Sequence, residues 1–243
     1  MSAKTEAAGQ VLTRAVKYDN EEKYAESLIC YQEGIQLLLD ALRSITGDGK
    51  RQKLRQKISE YMDRAEVIKQ RVEQLKAAGS YHEQIHIENN STGHSYERLF
   101  ARFLDDDVGV VEVEDPYVRT PNQIYNLLRF CELAVKRCPN LGKVSLITGQ
   151  ESDRDTYQQH QRLEELAHSL GERGVKLAVQ YSATLHDREI RVDNGWIIQI
   201  GRGLDIYKPT ESKFAIGYCD YDLRKCHETT VDIFHKKNVK NGK

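Results

Sequence analysis

Residues 54–69 read LRQKISEYMDRAEVIK, and apolar side chains recur in this stretch every three or four positions. The recurring positions, which continue beyond the stretch, are Leu54, Ile58, Tyr61, Ala65, Ile68, Val72 and Leu75. Because an α-helix turns once every ~3.6 residues, this spacing gathers the apolar side chains on one helical face. The stretch therefore predicts an amphipathic helix whose apolar face must be covered by other elements.

Two similar apolar stripes precede this helix. The one in residues 21–42 consists of Tyr24, Leu28, Tyr31, Ile35, Leu38 and Leu42, and a shorter one consists of Ala8, Leu12 and Ala15. Three amphipathic helices with short breaks predict an all-α three-helix bundle over residues 1–78. The polar residues 79–94 predict a linker with little structure of its own.

Residues 95–243 alternate between helical and β-branched patterns, which predicts a second, α/β domain with a mainly parallel sheet. The predicted helices cover residues 95–105, a segment that starts at Thr120-Pro121, residues 157–170 and residues 229–237. The predicted strands cover residues 108–114, 143–148, 174–181, 214–218 and the two arms, 189–192 and 196–200, of a hairpin. The Asn194-Gly195 pair favours the tight turn of that hairpin. The chain is therefore expected to be a multidomain protein.

Composition narrows the possible partners. The net charge is -1 for 243 residues, so we expect no nucleic-acid partner, although cations outnumber acids from residue 188 onward. No apolar run approaches the ~20 residues of a membrane span, so membrane contact is expected to be peripheral. The first ten residues lack the apolar stretch of a secretory signal, and we expect the five cysteines to be reduced thiols.

One short motif suggests a metal but is discounted. His82-Glu83-Gln84-Ile85-His86 spells the H-E-x-x-H pattern that binds zinc when it lies on a helix. It falls in the predicted linker, directly after a helix-stopping glycine, and no third ligand is indicated. We therefore expect neither a metal nor a cofactor.

The first domain resembles the MIT domain. The resemblance rests on Tyr-Ala-x-x-Leu-x-x-Tyr at residues 24–31 and on Tyr-x-Asp-Arg-Ala-Glu at residues 61–66. It implies that C-terminal helices of ESCRT-III subunits bind between the second and third helices. The matching positions are Met62 and Asp63, with Ile58 and Ala65 as the walls of the site. Spacing alone favours the alternative, in which Met62 lies at the edge of the core and Asp63 solvates the helix.

The second domain resembles the phospholipase D superfamily. His186, Arg188 and Asp193 fit its H-x-K-x-x-x-x-D motif, except that arginine replaces lysine, and Gly201-Arg202 stands where the family has Gly-Ser. The family catalyses with two facing histidines, whereas this chain has one copy, which a symmetric homodimer would double. The resemblance implies a fold that keeps phosphate affinity without turnover. An active phosphodiesterase and a chance motif are the alternatives.

The combination resembles proteins in which an MIT domain precedes one phospholipase D-like domain. It implies a cytoplasmic, homodimeric, non-catalytic adaptor that joins ESCRT-III tails to acidic phosphoinositide membranes during abscission in cytokinesis, at the midbody and late endosome. The expected membrane and phosphate contacts are His186, Arg188, Arg191, Arg202, Lys208, Lys213, Arg224, Lys225, Lys236 and Lys237. An adaptor that binds only proteins is the remaining alternative.

Overall fold

The computed structural model describes residues 3–45, 47–78, 81–150 and 156–236. The chain divides into two compact units, one ending at Glu83 and the other beginning at Gln84. Lys237, with the end of the helix predicted over 229–237, lies outside the described residues.

The described part of the first unit begins with three helices, as predicted. They are α1 (Ala3–Asn20), α2 (Tyr24–Ser44) and α3 (Asp48–Ala77), and α2 packs against both of the others. The stripe of α3 faces inward: Ile58, Ala65, Ile68 and Val72 are buried, while Leu54, Tyr61 and Leu75 are half-buried. This burial is the source of the bundle's stability, because short helices are marginal in water without packing.

Close packing and one ion pair fix the three helices. Gly34 of α2 lies so near α1 that a Cβ there would approach Leu12 Cγ to 2.6 Å. One turn from Gly34, the ring of Tyr31 lies 6.1 Å from the ring of Tyr61 in α3. Arg64 of α3 donates two hydrogen bonds of 2.7 Å to the carboxylate of Asp19 at the end of α1. The register of all three helices is thereby set.

The described residues also contain a seven-stranded sheet. Its strands are β1 (Tyr81–Ile87), β2 (Val110–Glu114), β3 (Lys143–Thr148), β4 (Lys176–Tyr181), β5 (Glu189–Val192), β6 (Trp196–Ile200) and β7 (Thr229–His235). Their order across the sheet is β1-β7-β6-β5-β2-β3-β4. The boundary between the two units falls within β1.

The sheet is mixed, so the prediction of a mainly parallel sheet was wrong. β2, β3 and β4 are parallel, whereas β2 with β5, β5 with β6, and β6 with β7 pair antiparallel. Helices connect the parallel strands, but the tight turn at Asn194-Gly195 forces its two arms to run in opposite directions. Gly195 has a φ of +104°, which suits glycine.

Three further predictions about elements were wrong. Residues 81–87, expected within a linker, form strand β1. Residues 229–235, expected to be helical, form β7, since Thr229, Val231 and Ile233 are β-branched and alternate on the buried face. Residues 214–218, expected to be a strand, form consecutive turns and bends.

Helices cover part of the sheet. They are α4 (Tyr96–Phe100), continued by a 3-10 turn (Ala101–Phe103), α5 (Pro121–Arg137) and α6 (Thr156–Gly171). The α5 start follows the sequence closely: Thr120 and Gln123 form a capping box around Pro121. The rings of Phe100 and Phe130 meet edge to face at 5.9 Å in the core.

Candidate peptide-binding and anion-binding sites

Met62 marks an apolar surface on α3. Its side chain is 52% exposed, whereas Ile58 and Ala65, one turn away on either side, are buried. Asp63 beside it is exposed. The structure therefore brings Ile58, Ala65 and Met62 together on one side of α3, with two as the floor and Met62 at its exposed edge, whereas Asp63 follows Met62 on the more solvent-exposed side.

The neighbouring face of α2 completes this surface. Because Tyr31 contacts Tyr61 next to Met62, the residues one turn from Tyr31 lie opposite the same part of α3. These residues are Leu28, which is half-buried, and Ile35, which is buried. A shallow apolar strip between two antiparallel helices can accept the apolar face of a third helix, with Asp63 beside it to meet a cation.

The histidine motif of the second unit lies in a cleft of about 420 Å³. His186 and Arg188 both line this cleft, and both lie in the segment directly before β5. Three acids line it as well, namely Asp187, Glu189 and Asp232. The excess of carboxylates makes this cleft a poor site for an anion.

Arg188 is engaged by the protein itself. Its guanidinium donates to the carbonyl of Gly201 and lies 4.6 Å from the ring centre of Tyr117. The nearby Asp115 is 3% exposed, and burial raises the pKa of its carboxyl despite hydrogen bonds from two backbone N–H groups and the charge of Arg188. Arg188 is thus an anchoring residue of the sheet as well as part of the cleft.

Asp193, the last residue of the motif, supports the backbone. Its carboxylate accepts hydrogen bonds from the N–H groups of Gly109 at 3.1 Å and of Val110 at 2.8 Å. These bonds fix the start of β2 beside the hairpin. In this chain Arg188 and Asp193 of the motif therefore stabilise the fold through hydrogen bonds to the backbone.

Two of the predicted membrane contacts are tied up in the protein. Arg224 is only 8% exposed, so its prediction as a surface cation was wrong. It donates to the carbonyls of Gly217, of Tyr218 at 2.6 Å and of Lys208 at 3.3 Å. Arg191 is exposed but forms ion pairs with Glu114 at 3.1 Å and with Glu189.

A second cleft, of about 460 Å³, gathers positive charge. Its cationic lining residues are Arg129, Lys208, Lys213 and Arg224; His227 also lines it, and Asp205 is its acid. We call it the cationic cleft. Lys208 donates to Asn89 at 2.6 Å and to Asn90 at 2.9 Å, which fixes its ammonium group. Arg224 directs its donors to protein carbonyls, so Arg129, Lys208 and Lys213 are the cations that phosphate oxygens would meet in this cleft.

Sequence reasoning named three members of the cationic cleft, although it took the buried Arg224 for a surface cation, and it missed two. Arg129 comes from α5, and its guanidinium lies 4.1 Å from the ring centre of Tyr221. His227 precedes β7, and its pKa is lowered by burial and by the charges of Arg202 and Lys208. Neither residue belongs to a local motif, so only the fold could bring them to this cleft.

The remaining predicted cations line neither cleft. Arg202 donates to the carbonyl of Asp205 at 3.3 Å, and Lys225 and Lys236 are exposed. Whether these three residues contact a membrane remains a prediction.

The described residues contain neither a membrane-spanning helix nor a cluster of metal ligands. None of the helices in the ranges given above is long and apolar enough to cross a bilayer, and no group of three or more potential metal ligands occurs in those ranges. The H-E-x-x-H pattern lies on strand β1, where Glu83 is buried and accepts from the hydroxyl of Tyr81 at 2.7 Å. His82 and His86 are exposed on the opposite face, so the helical zinc geometry does not form.

Comparison with known proteins gives consistent matches for both units. Residues 5–70 match the family described as the MIT (microtubule interacting and transport) domain. Residues 93–235 match the family described as a phospholipase D-like domain at the C-terminus of MIT. A mouse protein, MIT domain-containing protein 1, is 51% identical over 234 residues, which cover 96% of this chain and 94% of that protein.

Proposed function

Because this chain belongs to the family that joins an MIT domain to a C-terminal phospholipase D-like domain, we propose that it is a non-catalytic adaptor. Its first unit binds C-terminal helices of ESCRT-III subunits, and its second unit binds membranes that contain acidic phospholipids, including phosphoinositides. The observation that carries the proposal is the cationic cleft, which shares no lining residue with the cleft of the histidine motif.

The first half of the proposal rests on Met62. Met62 is half exposed beside a buried apolar floor, so it can pack against an incoming amphipathic helix. Methionine suits this role because its flexible side chain adapts its shape to a partner. Asp63 lies beside it and offers an acceptor to a basic residue of that helix.

The absence of turnover is supported by the state of the motif. Arg188 is held by Gly201 and Tyr117, and the described lining of its cleft contains one histidine with three carboxylates. Nucleophilic attack on a phosphodiester needs a second group to protonate the leaving oxygen and cations to neutralise the phosphate. Carboxylates in that place repel the substrate instead.

The cellular setting follows from the same proposal. An adaptor with these two surfaces belongs on the cytoplasmic side of membranes where ESCRT-III polymers assemble, namely the midbody during abscission and the late endosome. We further propose a homodimer formed through the second unit, because two weak membrane sites acting together bind far more tightly than one.

The test is sedimentation of the full chain with vesicles of phosphatidylcholine alone or with added phosphatidylserine and a phosphoinositide. We expect sedimentation only with the anionic vesicles. We also expect it to weaken as the salt concentration rises from about 0.1 M to about 0.5 M, because salt screens surface charge. Lys213→Glu, which reverses one charge of the cationic cleft, should weaken it further.

The same samples test the alternative, an active phosphodiesterase. Headgroup release from the vesicles is measured for the native chain and for His186→Asn. We expect no release from either. Release by the native chain that His186→Asn removes would establish an enzyme, and equal sedimentation with neutral vesicles would refute the anionic membrane site.

A further inference from the structure

The segment of residues 211–223, which we call the tip loop, exposes apolar side chains to an unusual degree. Phe214 is 100% exposed and Ile216 is 84% exposed, and Leu223 is 52% exposed. Single exposed apolar residues are common on protein surfaces, but two large ones separated by a single residue in a turn are not required by the fold.

The tip loop is held in this shape by the rest of the unit. Arg224 donates to the carbonyls of Gly217 and Tyr218 from a buried position. Gly217 has a φ of +87°, and a Cβ there would lie 2.7 Å from the carbonyl oxygen of Leu223. The two apolar side chains are therefore presented by a braced turn, so little conformational entropy is lost when they bind.

Positive charge adjoins the apolar tip. Lys213 and Tyr218 belong to the tip loop and also line the cationic cleft. Lys225, two residues beyond the loop, is exposed as well. A phosphate held in the cleft and an apolar phase around Phe214 would thus lie next to each other, which is the arrangement at the surface of an anionic bilayer.

We propose that Phe214 and Ile216 insert into the interfacial layer of an anionic membrane while the cationic cleft receives a phosphate headgroup. This inference rests on the membrane binding in the proposed function and adds the element that enters the lipid. Lipid is favoured over a protein partner because acyl chains close around protruding side chains, whereas a protein would need a matching pocket.

The first experiment compares full-length Phe214→Ser/Ile216→Ser with the native chain in sedimentation with phosphoinositide-containing vesicles. We expect affinity to fall about 10- to 100-fold, the loss that corresponds to partial burial of two large apolar side chains. Tyr157→Ser is the matched control, because Tyr157 is 76% exposed but lies on α6. It should bind as the native chain does.

A second readout uses Cys219, the exposed thiol of the tip loop. The other four cysteines are buried. Burial raises the pKa of Cys131 to about 12 and those of Cys138 and Cys226 to about 11, so these three react slowly at neutral pH. An environment-sensitive dye on Cys219 should shift to shorter emission wavelength with anionic vesicles, and should not shift with neutral ones.

The outcomes separate the two proposals. Native-like sedimentation of the double variant, with no shift of the dye, would overturn the insertion of the tip loop and leave the anionic membrane site standing; the loop would then face a different class of partner. Failure of the native chain to sediment with anionic vesicles would overturn both. As a control for folding, the double variant should unfold at the same temperature as the native chain.

Discussion

At the scale of single residues, position on helix α3 distinguishes Met62, the proposed peptide anchor, from ordinary surface. Val67 lies on the same helix and is 53% exposed, against 52% for Met62. Five positions correspond to a rotation of about 140° around the helix axis, so Val67 faces away from the strip between α2 and α3. The two residues therefore form a natural pair of site and control.

We predict that Met62→Asp weakens binding of an ESCRT-III C-terminal helix by on the order of 30-fold or more, since a charge would replace the apolar anchor. Val67→Asp should leave the affinity unchanged. Both variants should keep the native free energy of unfolding to within about 0.5 kcal/mol, because both side chains are largely in solvent. Fluorescence anisotropy with a labelled helix peptide measures the affinities. Equal losses in the two variants would contradict a site at Met62.

The sequence predicted single residues unevenly. Ile58, Met62 and Ala65 could be placed because helical spacing alone determines which of them share a face. The cations could not, because a list of lysines and arginines does not reveal their partners. Arg224 proved to be buried and bonded to three carbonyls, whereas Arg129 joins the cationic cleft from α5, far earlier in the chain.

At the scale of elements, the tip loop depends on Arg224. This side chain donates to the carbonyls of Gly217 and Tyr218 within the loop and to the carbonyl of Lys208 shortly before it. Removing the donor of a buried carbonyl lowers the folding stability by more than the hydrogen bond itself contributes, because water cannot reach the carbonyl to replace it. In the proposed membrane site Arg224 would therefore act indirectly, by holding the loop.

We predict that Arg224→Leu lowers the free energy of unfolding of the second unit by about 3 kcal/mol. Lys225→Leu is the control, since Lys225 is exposed and should change it by less than about 0.5 kcal/mol. Urea unfolding of both full-length variants, followed by the fluorescence of Trp196, measures the difference. Comparable stability of the two variants would show that Arg224 does not brace the loop.

The elements that sequence could not predict are those set by distant pairing. The strands β2, β3 and β4 and the hairpin could be recognised from their own residues. Strand β1 could not, because its polar residues are typical of a linker. Its partner strand is distant in the chain: the side-chain amide of Gln84 donates to the carboxylate of Asp232 of β7 at 2.8 Å. The segment 214–218 was misleading in the opposite way, since its apolar residues face solvent instead of a sheet.

At the scale of the whole molecule, the division into a helical bundle and an α/β unit was predictable from the sequence. Each unit carries its own motif resemblance, and the residues of each candidate site come from one unit. In the proposed adaptor neither site needs to be strong. Binding of one chain to membrane raises the local concentration of the other site, so an ESCRT-III tail already near that membrane is captured by avidity.

The most direct test of the adaptor is capture of a labelled ESCRT-III C-terminal helix peptide on anionic vesicles by the full chain. We predict that the peptide sediments only when protein and anionic vesicles are both present. With Met62→Asp the protein should still sediment while the peptide stays in solution. A peptide that stays in solution although the native protein sediments with the vesicles would contradict the adaptor, because the chain would then not join the two.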